Sequence, residues 1–221
     1  MMPLGDDNSG RRLTPIVTYV LIAVNVLVFL LELANGNAFI ERWAFVPTRF
    51  LANPVGEFAT LFTSMFMHAG WLHLLGNMLY LWIFGDNVED RFGHGLFFVF
   101  YILCGLGATF AQLAFSMNSS IPNLGASGAI AGVLGSYLIM FPRRRVNVLL
   151  GRFVTPMSAI IVIGFWFLLQ IFSQVSAFTA SSQTEGGVAY MAHIGGFIAG
   201  VALTYLLGGT RTALPPTTSY R

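Results

Sequence analysis

The chain alternates long apolar runs with polar breaks. The apolar runs cover residues 15–33, 70–85, 95–115, 127–141, 154–178 and 188–207. Most approach the roughly 20 residues a helix needs to cross a bilayer. The pattern therefore predicts six transmembrane helices, the fourth unusually short. Residues 1–14 are polar and expected to be a flexible N-terminus. Residues 208–221, with Pro215 and Pro216, are expected to be a flexible tail. A long loop fills 34–70; within it, 61–67 is apolar but too short to cross, and is expected in the interface or against the bundle. A polar corner with Asp86, Glu89, Asp90, Arg91 and His94 follows the second run. There a Glu89–Arg91 salt bridge closed by Gly93 is expected, with a structural role.

Composition sharpens this picture. Of 221 residues, 56% are apolar and 9% charged, against about 25% charged in a soluble domain. The fold class is an all-α membrane protein, with one domain over 15–207. Asp6 and Asp7 precede the first run, it is long enough to span, and no small-residue cleavage site follows, so it does not read as a cleaved signal. The net charge of +2 suggests no nucleic-acid partner. Cys104, the single cysteine, lies in an apolar run, cannot form an internal disulfide, and reads as a buried small residue. All eleven basic residues are arginine. Six spans put both termini on one side, together with Arg11, Arg12, Arg91, Arg143, Arg144, Arg145, Arg152, Arg211 and Arg221. Only Arg42 and Arg49 fall on the other. The positive-inside rule makes the Arg-rich side, and both termini, cytoplasmic.

Polar side chains inside spans are costly and are functional candidates by default. Counting from the cytoplasmic ends at 1.5 Å per residue puts Ser127 and His193 about 21 Å up, His73 about 20 Å and Asn77 about 13 Å. Three helices thus bring a serine and two histidines to nearly one level, below the outer surface of a core about 30 Å thick. The loop 116–126 must dip inward to reach Ser127, which requires a protein-lined or water-filled cavity.

Ser127 sits in Gly-Ala-Ser-Gly at a predicted helix start, where backbone N–H groups lack intrahelical partners. The bland account is that Gly128, Gly132 and Ser136 form a small-residue packing stripe. With His193 level with Ser127, a second account opens: neutral His193 takes the serine's proton and later protonates the leaving amine. Glycines on both helices permit the close approach this needs. No carboxylate stands at that depth, so the pair would be a Ser–His dyad. His73 and Asn77, spaced i, i+4, share a helix face and could cradle an oxyanion with the Ser127 N–H. His68, beside Gly70 and Trp71, reads as interfacial. A transporter would need polar residues reaching both faces, and the cytoplasmic halves of these runs have almost none.

These residues resemble the rhomboid family of intramembrane serine proteases. Four stretches carry the resemblance: LFTSMFMHAGWLHLLGN at 61–77, GDNVEDRFG at 85–93, GASGAIAGVLG at 125–135 and AHIGGFIAG at 192–200. The resemblance implies a six-helix core with Ser127 as nucleophile, Gly125 in its turn, His193 as base, and His73 and Asn77 as oxyanion donors. It implies no metal or cofactor. The substrates implied are single-pass membrane proteins cut within or beside their span, entering between the second and fifth helices. The active site would open to the extracytoplasmic side, and a bacterial plasma membrane is expected. The alternative is an inactive relative that binds membrane clients. Two positions depart from the family pattern. Ala59 and Thr60 replace a common Trp-Arg before Leu61. Ala131 replaces an aromatic that stacks on the histidine, leaving Tyr190 as the candidate to hold it.

Overall fold

The computed structural model describes residues 1–179 and 189–209, the side chains of 177–179 excepted. In chain order, α1 spans Ile16–Asn35, α2 Asn37–Trp43, α3 Pro47–Ala52 and α4 Thr60–Thr63, which runs into a 3₁₀ turn at Ser64–Phe66. α5 spans Trp71–Phe92, α6 His94–Phe115, α7 Ser127–Met140, α8 Ala159–Thr179 and α9 Tyr190–Leu206. Strands β1 (Met2–Asp6), β2 (Arg145–Leu150) and β3 (Phe153–Ser158) form one antiparallel sheet in that order. The expected mobile tail from 210 onward lies outside the described residues.

The fold is mostly helical, and among the described residues three helical stretches are long and apolar enough to cross a membrane: Ile16–Asn35, His94–Phe115 and Ala159–Ser176. α7 and α9 are shorter apolar helices. α7 is apolar nearly all round, which suits a helix enclosed by others as well as one that faces lipid. Residues 128–137 are all buried, with α5, α6, α8 and α9 packed around them.

α7 and α9 touch backbone to backbone. A Cβ on Gly196 would lie 2.0 Å from the Gly128 carbonyl oxygen, and one on Gly200 2.1 Å from that of Gly132. Only glycine fits at either position. Further along, Thr204 Oγ1 donates to Ser136 Oγ at 2.8 Å. The small-residue stripe is therefore real packing, and it runs directly beneath Ser127.

Several sequence expectations change. The second helix continues past Gly85 to Phe92, so the polar corner is its last two turns. Glu89 does not pair with Arg91. Its carboxylate is fully buried and accepts from the N–H groups of Val17 and Thr18 at 2.8 Å each, from Thr18 Oγ1 at 2.7 Å, and lies 2.6 Å from His94 Nδ1. It thus satisfies orphan donors at the start of α1, where an anion also complements the helix dipole. Arg91 instead donates to the Gly209 carbonyl at 2.9 Å. Gly93, at φ 75°, ends the helix. The apolar 61–67 stretch packs against the bundle, with Leu61, Met65 and Met67 buried. Where the Trp-Arg pair is missing, Arg49 holds the loop, donating to Glu57 at 2.8 Å and to the Ala44 carbonyl at 2.7 Å.

The sheet is the largest departure. Residues expected to open the fifth span form β3, and the N-terminus expected to be flexible supplies β1. β2 alternates, with Val146 and Val148 buried. The turn before β3 uses Gly151 at φ 59°. β1 is anchored by Asp6, whose Oδ2 accepts from Tyr137 Oη and, at 2.9 Å, from Asn87 Nδ2. Burial, reinforced by the charge of Asp86, pushes the Asp6 carboxyl up to about 6, although the Tyr137 hydrogen bond and Arg144 oppose it. A carboxyl raised in the fold adds stability that is full below its ordinary value of 3.8 and lost as pH rises through about 6. Asp6→Asn keeps an acceptor and removes the charge. Amide exchange in β1 should accelerate between about pH 4 and 6.5 beyond its intrinsic pH dependence in the parent, and not in Asp6→Asn. Equal protection changes in both would remove Asp6 from this role.

Candidate active site

The chain enters α7 through an extended segment. The Asn123 N–H donates to the Phe45 carbonyl at 2.7 Å, and the Gly125 N–H to the Ser64 carbonyl at 2.9 Å. These bonds bring the loop containing α4 against the start of α7. Gly125 adopts φ 137°, which disfavours any residue with a side chain. A Cβ there would also sit 2.9 Å from His73 Cε1 and 3.4 Å from Ser127 Oγ. Gly125 is thus where backbone, His73 and Ser127 converge.

Ser127 is the first residue of α7, so its N–H has no intrahelical partner. Its Oγ lies 2.8 Å from His193 Nε2 on α9. The close glycine packing of α7 on α9 makes that distance attainable.

His73 and Asn77 stand on one face of α5 and line the same cavity as Ser127 and His193. The Ala69 N–H donates to His73 Nδ1 at 3.3 Å. Neutral His73 therefore carries its proton on Nε2, the nitrogen that would stand 3.1 Å from a Cβ on Gly125. Asn77 is buried and its Nδ2 has no hydrogen-bond partner. Leaving such a donor unmade costs about 1–3 kcal/mol, and Asn77 is one of the residues that line the cavity. The cavity measures about 480 Å³ and is also lined by Phe45, Met65, Thr109 and Asn123. Among the described residues, no group of three or more His, Cys, Asp or Glu comes together as a metal site would require.

Five sequence-selected residues, Ser127, His193, His73, Asn77 and Gly125, are thus brought together. His68, read as interfacial, is buried in the protein. It is 2% exposed, its N–H donates to the Glu32 carboxylate at 3.1 Å, and its ring stands 5.1 Å from that of His73. Glu32, near a predicted helix end, was the signal for this inward fold of the loop. Sequence reasoning also missed two residues of α8. Gln170 Oε1 lies 2.7 Å from His193 Nδ1, and the Trp166 ring stands 5.9 Å from the imidazole at 35°. Trp166 is thus the ring beside the histidine; Tyr190 makes no ring contact with it among the described residues. Ala131, where an aromatic was expected, is buried in the core. Gln170 was findable, because residues 159–169 are all apolar and it is the first polar side chain within α8.

A family model described as the rhomboid domain matches residues 55–210. The rhomboid protease GluP of Bacillus subtilis is 34% identical over 196 residues, covering 88% of this chain and 35% of that protein. The mitochondrial rhomboid protein 1 of Saccharomyces cerevisiae is 28% identical over 191 residues, covering 84% and 51%. The rhomboid protease GlpG of Salmonella newport is 26% identical over 194 residues, covering 86% and 62%. The chain therefore spans between about a third and just under two thirds of the length of these relatives.

Proposed function

The chain belongs to the rhomboid family and is an integral membrane protein; from that premise we propose that it is an intramembrane serine endopeptidase working through a Ser127–His193 dyad. The observation that carries this reading is the 2.8 Å separation of Ser127 Oγ and His193 Nε2 beside a cavity. An inactive client-binding relative has no need of that pair.

The reaction follows from the geometry. His193 Nε2 accepts the Ser127 proton as Oγ bonds to the scissile carbonyl carbon. The carbonyl oxygen becomes an oxyanion, met by the Ser127 N–H, His73 Nε2–H and Asn77 Nδ2. The imidazolium returns its proton to the leaving amine as the C–N bond breaks. A water then repeats the sequence on the acyl-enzyme and frees Ser127. Serine and histidine supply both nucleophile and proton carrier, so this chemistry calls for no cofactor.

In this reading the domain is 15–207, with six spans. The termini and sheet face the cytoplasm of a bacterial plasma membrane, and the cavity opens toward the opposite side. The substrates are single-pass membrane proteins. Their helix must unwind locally before its amide can be attacked, so helix-breaking residues near the cut favour cleavage. Reconstituted with a single-pass reporter, the protein should yield fragments whose new ends map within or beside the reporter's span. Ser127→Ala should yield none; fragments from Ser127→Ala would end this reading.

A further inference from the structure

α8 contributes a polar contact to the region of Ser127 that nothing in the dyad chemistry above uses. Gln170 Oε1 stands 2.7 Å from His193 Nδ1. The other end of the amide is also held: Nε2 donates to the Trp166 carbonyl at 3.4 Å, one turn back along the helix. A carbonyl can only accept. Reversing the amide would set oxygen against oxygen at Trp166 and a donor against Nδ1. The amide oxygen therefore belongs on the histidine side, and the Nδ1 facing it must carry a proton. Neutral imidazole has one N–H, so Nε2 is left with its lone pair aimed at Ser127 Oγ, 2.8 Å away.

We infer that Gln170 is the positioning residue of the dyad, holding His193 in the tautomer that can accept the serine's proton. This inference rests on the proposed dyad. The opposite tautomer donates from Nε2 to the serine and is inert as a base; a third group commonly sets this choice in serine hydrolases. That group is usually a carboxylate. α6, α7 and α8 carry no Asp, Glu, Lys or Arg. His73 is the titratable side chain that faces His193 across the site, and Gln112 of α6 is spent on the Ala192 N–H at 3.1 Å. A neutral amide sets the tautomer without the desolvation of a buried charge.

The test uses the full chain in liposomes with a single-pass reporter. Only 17% of the Ala159–Ser176 window is buried, so α8 tolerates a change at Gln170. Gln170→Met keeps the volume and removes the acceptor. Its kcat should fall about 10–100-fold with KM little changed, a share of the roughly 10²–10⁴ a positioned base contributes. Gln170→Glu restores an acceptor and should recover activity. It should also move the acid limb of kcat/KM up by about one pH unit, since an adjacent carboxylate favours the imidazolium. Wild-type kcat in Gln170→Met, or an acid limb in Gln170→Glu unmoved from wild type, overturns the inference. If Gln170→Met does not fold, the Gln170→Glu limb decides. Ser127→Ala and His193→Ala run alongside. Should they retain cleavage, the dyad reading itself fails. Should they be inactive while Gln170→Met is fully active, the positioning role alone fails.

Discussion

His193→Ala is expected to lower kcat for a membrane reporter by about 10³–10⁴, the upper part of the range a positioned general base supplies. KM should change little. His193 acts on the serine's proton in the transition state, and losing such an interaction lowers kcat and kcat/KM together. The imidazole also lies on the wall of the cavity, and its removal leaves room for water rather than a clash. Steady-state kinetics on matched liposome preparations check this. More than a tenth of wild-type kcat in His193→Ala would take the proton-accepting role from this residue.

Gly196→Ala should be nearly as damaging, though it touches no reacting atom. Its new methyl would sit 2.0 Å from the Gly128 carbonyl oxygen, at least an ångström inside any permitted contact. Backbone cannot turn aside, so α9 must back away from α7. Gly196 is one turn from His193, and Gly128 adjoins Ser127. The separation therefore opens at the dyad, and a misplacement of about 1 Å can cost on the order of 10²-fold in rate. Overpacking should also destabilise the fold by about 1–3 kcal/mol. Gly164→Ala on α8 is the matched control, because a Cβ there meets nothing within 4 Å. Loss of activity and lower thermal stability in Gly196→Ala alone is the expected outcome. Wild-type behaviour would mean that α7–α9 contact does not set the site.

The residues of the candidate site were legible because helical rise is regular. Counting residues put Ser127, His193 and His73 at one level without any knowledge of tilt, and the glycines announced which helices could meet. Other parts obeyed rules that counting along apolar runs cannot supply. β1 pairs with a strand about 140 residues away, with Met2 opposite Leu149, and a short polar segment gives no local sign of a partner so remote. The β2–β3 hairpin did carry a signal, the alternation of Val146 and Val148 before Gly151, but it lies against an apolar run that hydropathy reads as span. Glu89 and Arg91 stand two apart on a helix and cannot face each other; the pairing expected of a loop vanished once α5 extended to Phe92. His68 turned inward because Glu32 binds its backbone N–H. Gln170 stands out in sequence as the first polar side chain of α8, but its partner, His193, is apparent only once α8 and α9 are packed together.

The most direct measurement is covalent labelling with a fluorophosphonate, followed by mass spectrometry of the intact chain and its peptides. The wild type should carry one adduct, on Ser127. Labelling should be absent in Ser127→Ala and strongly slowed in His193→Ala. An adduct elsewhere, or equal labelling of all three proteins, would contradict an activated serine at the start of α7.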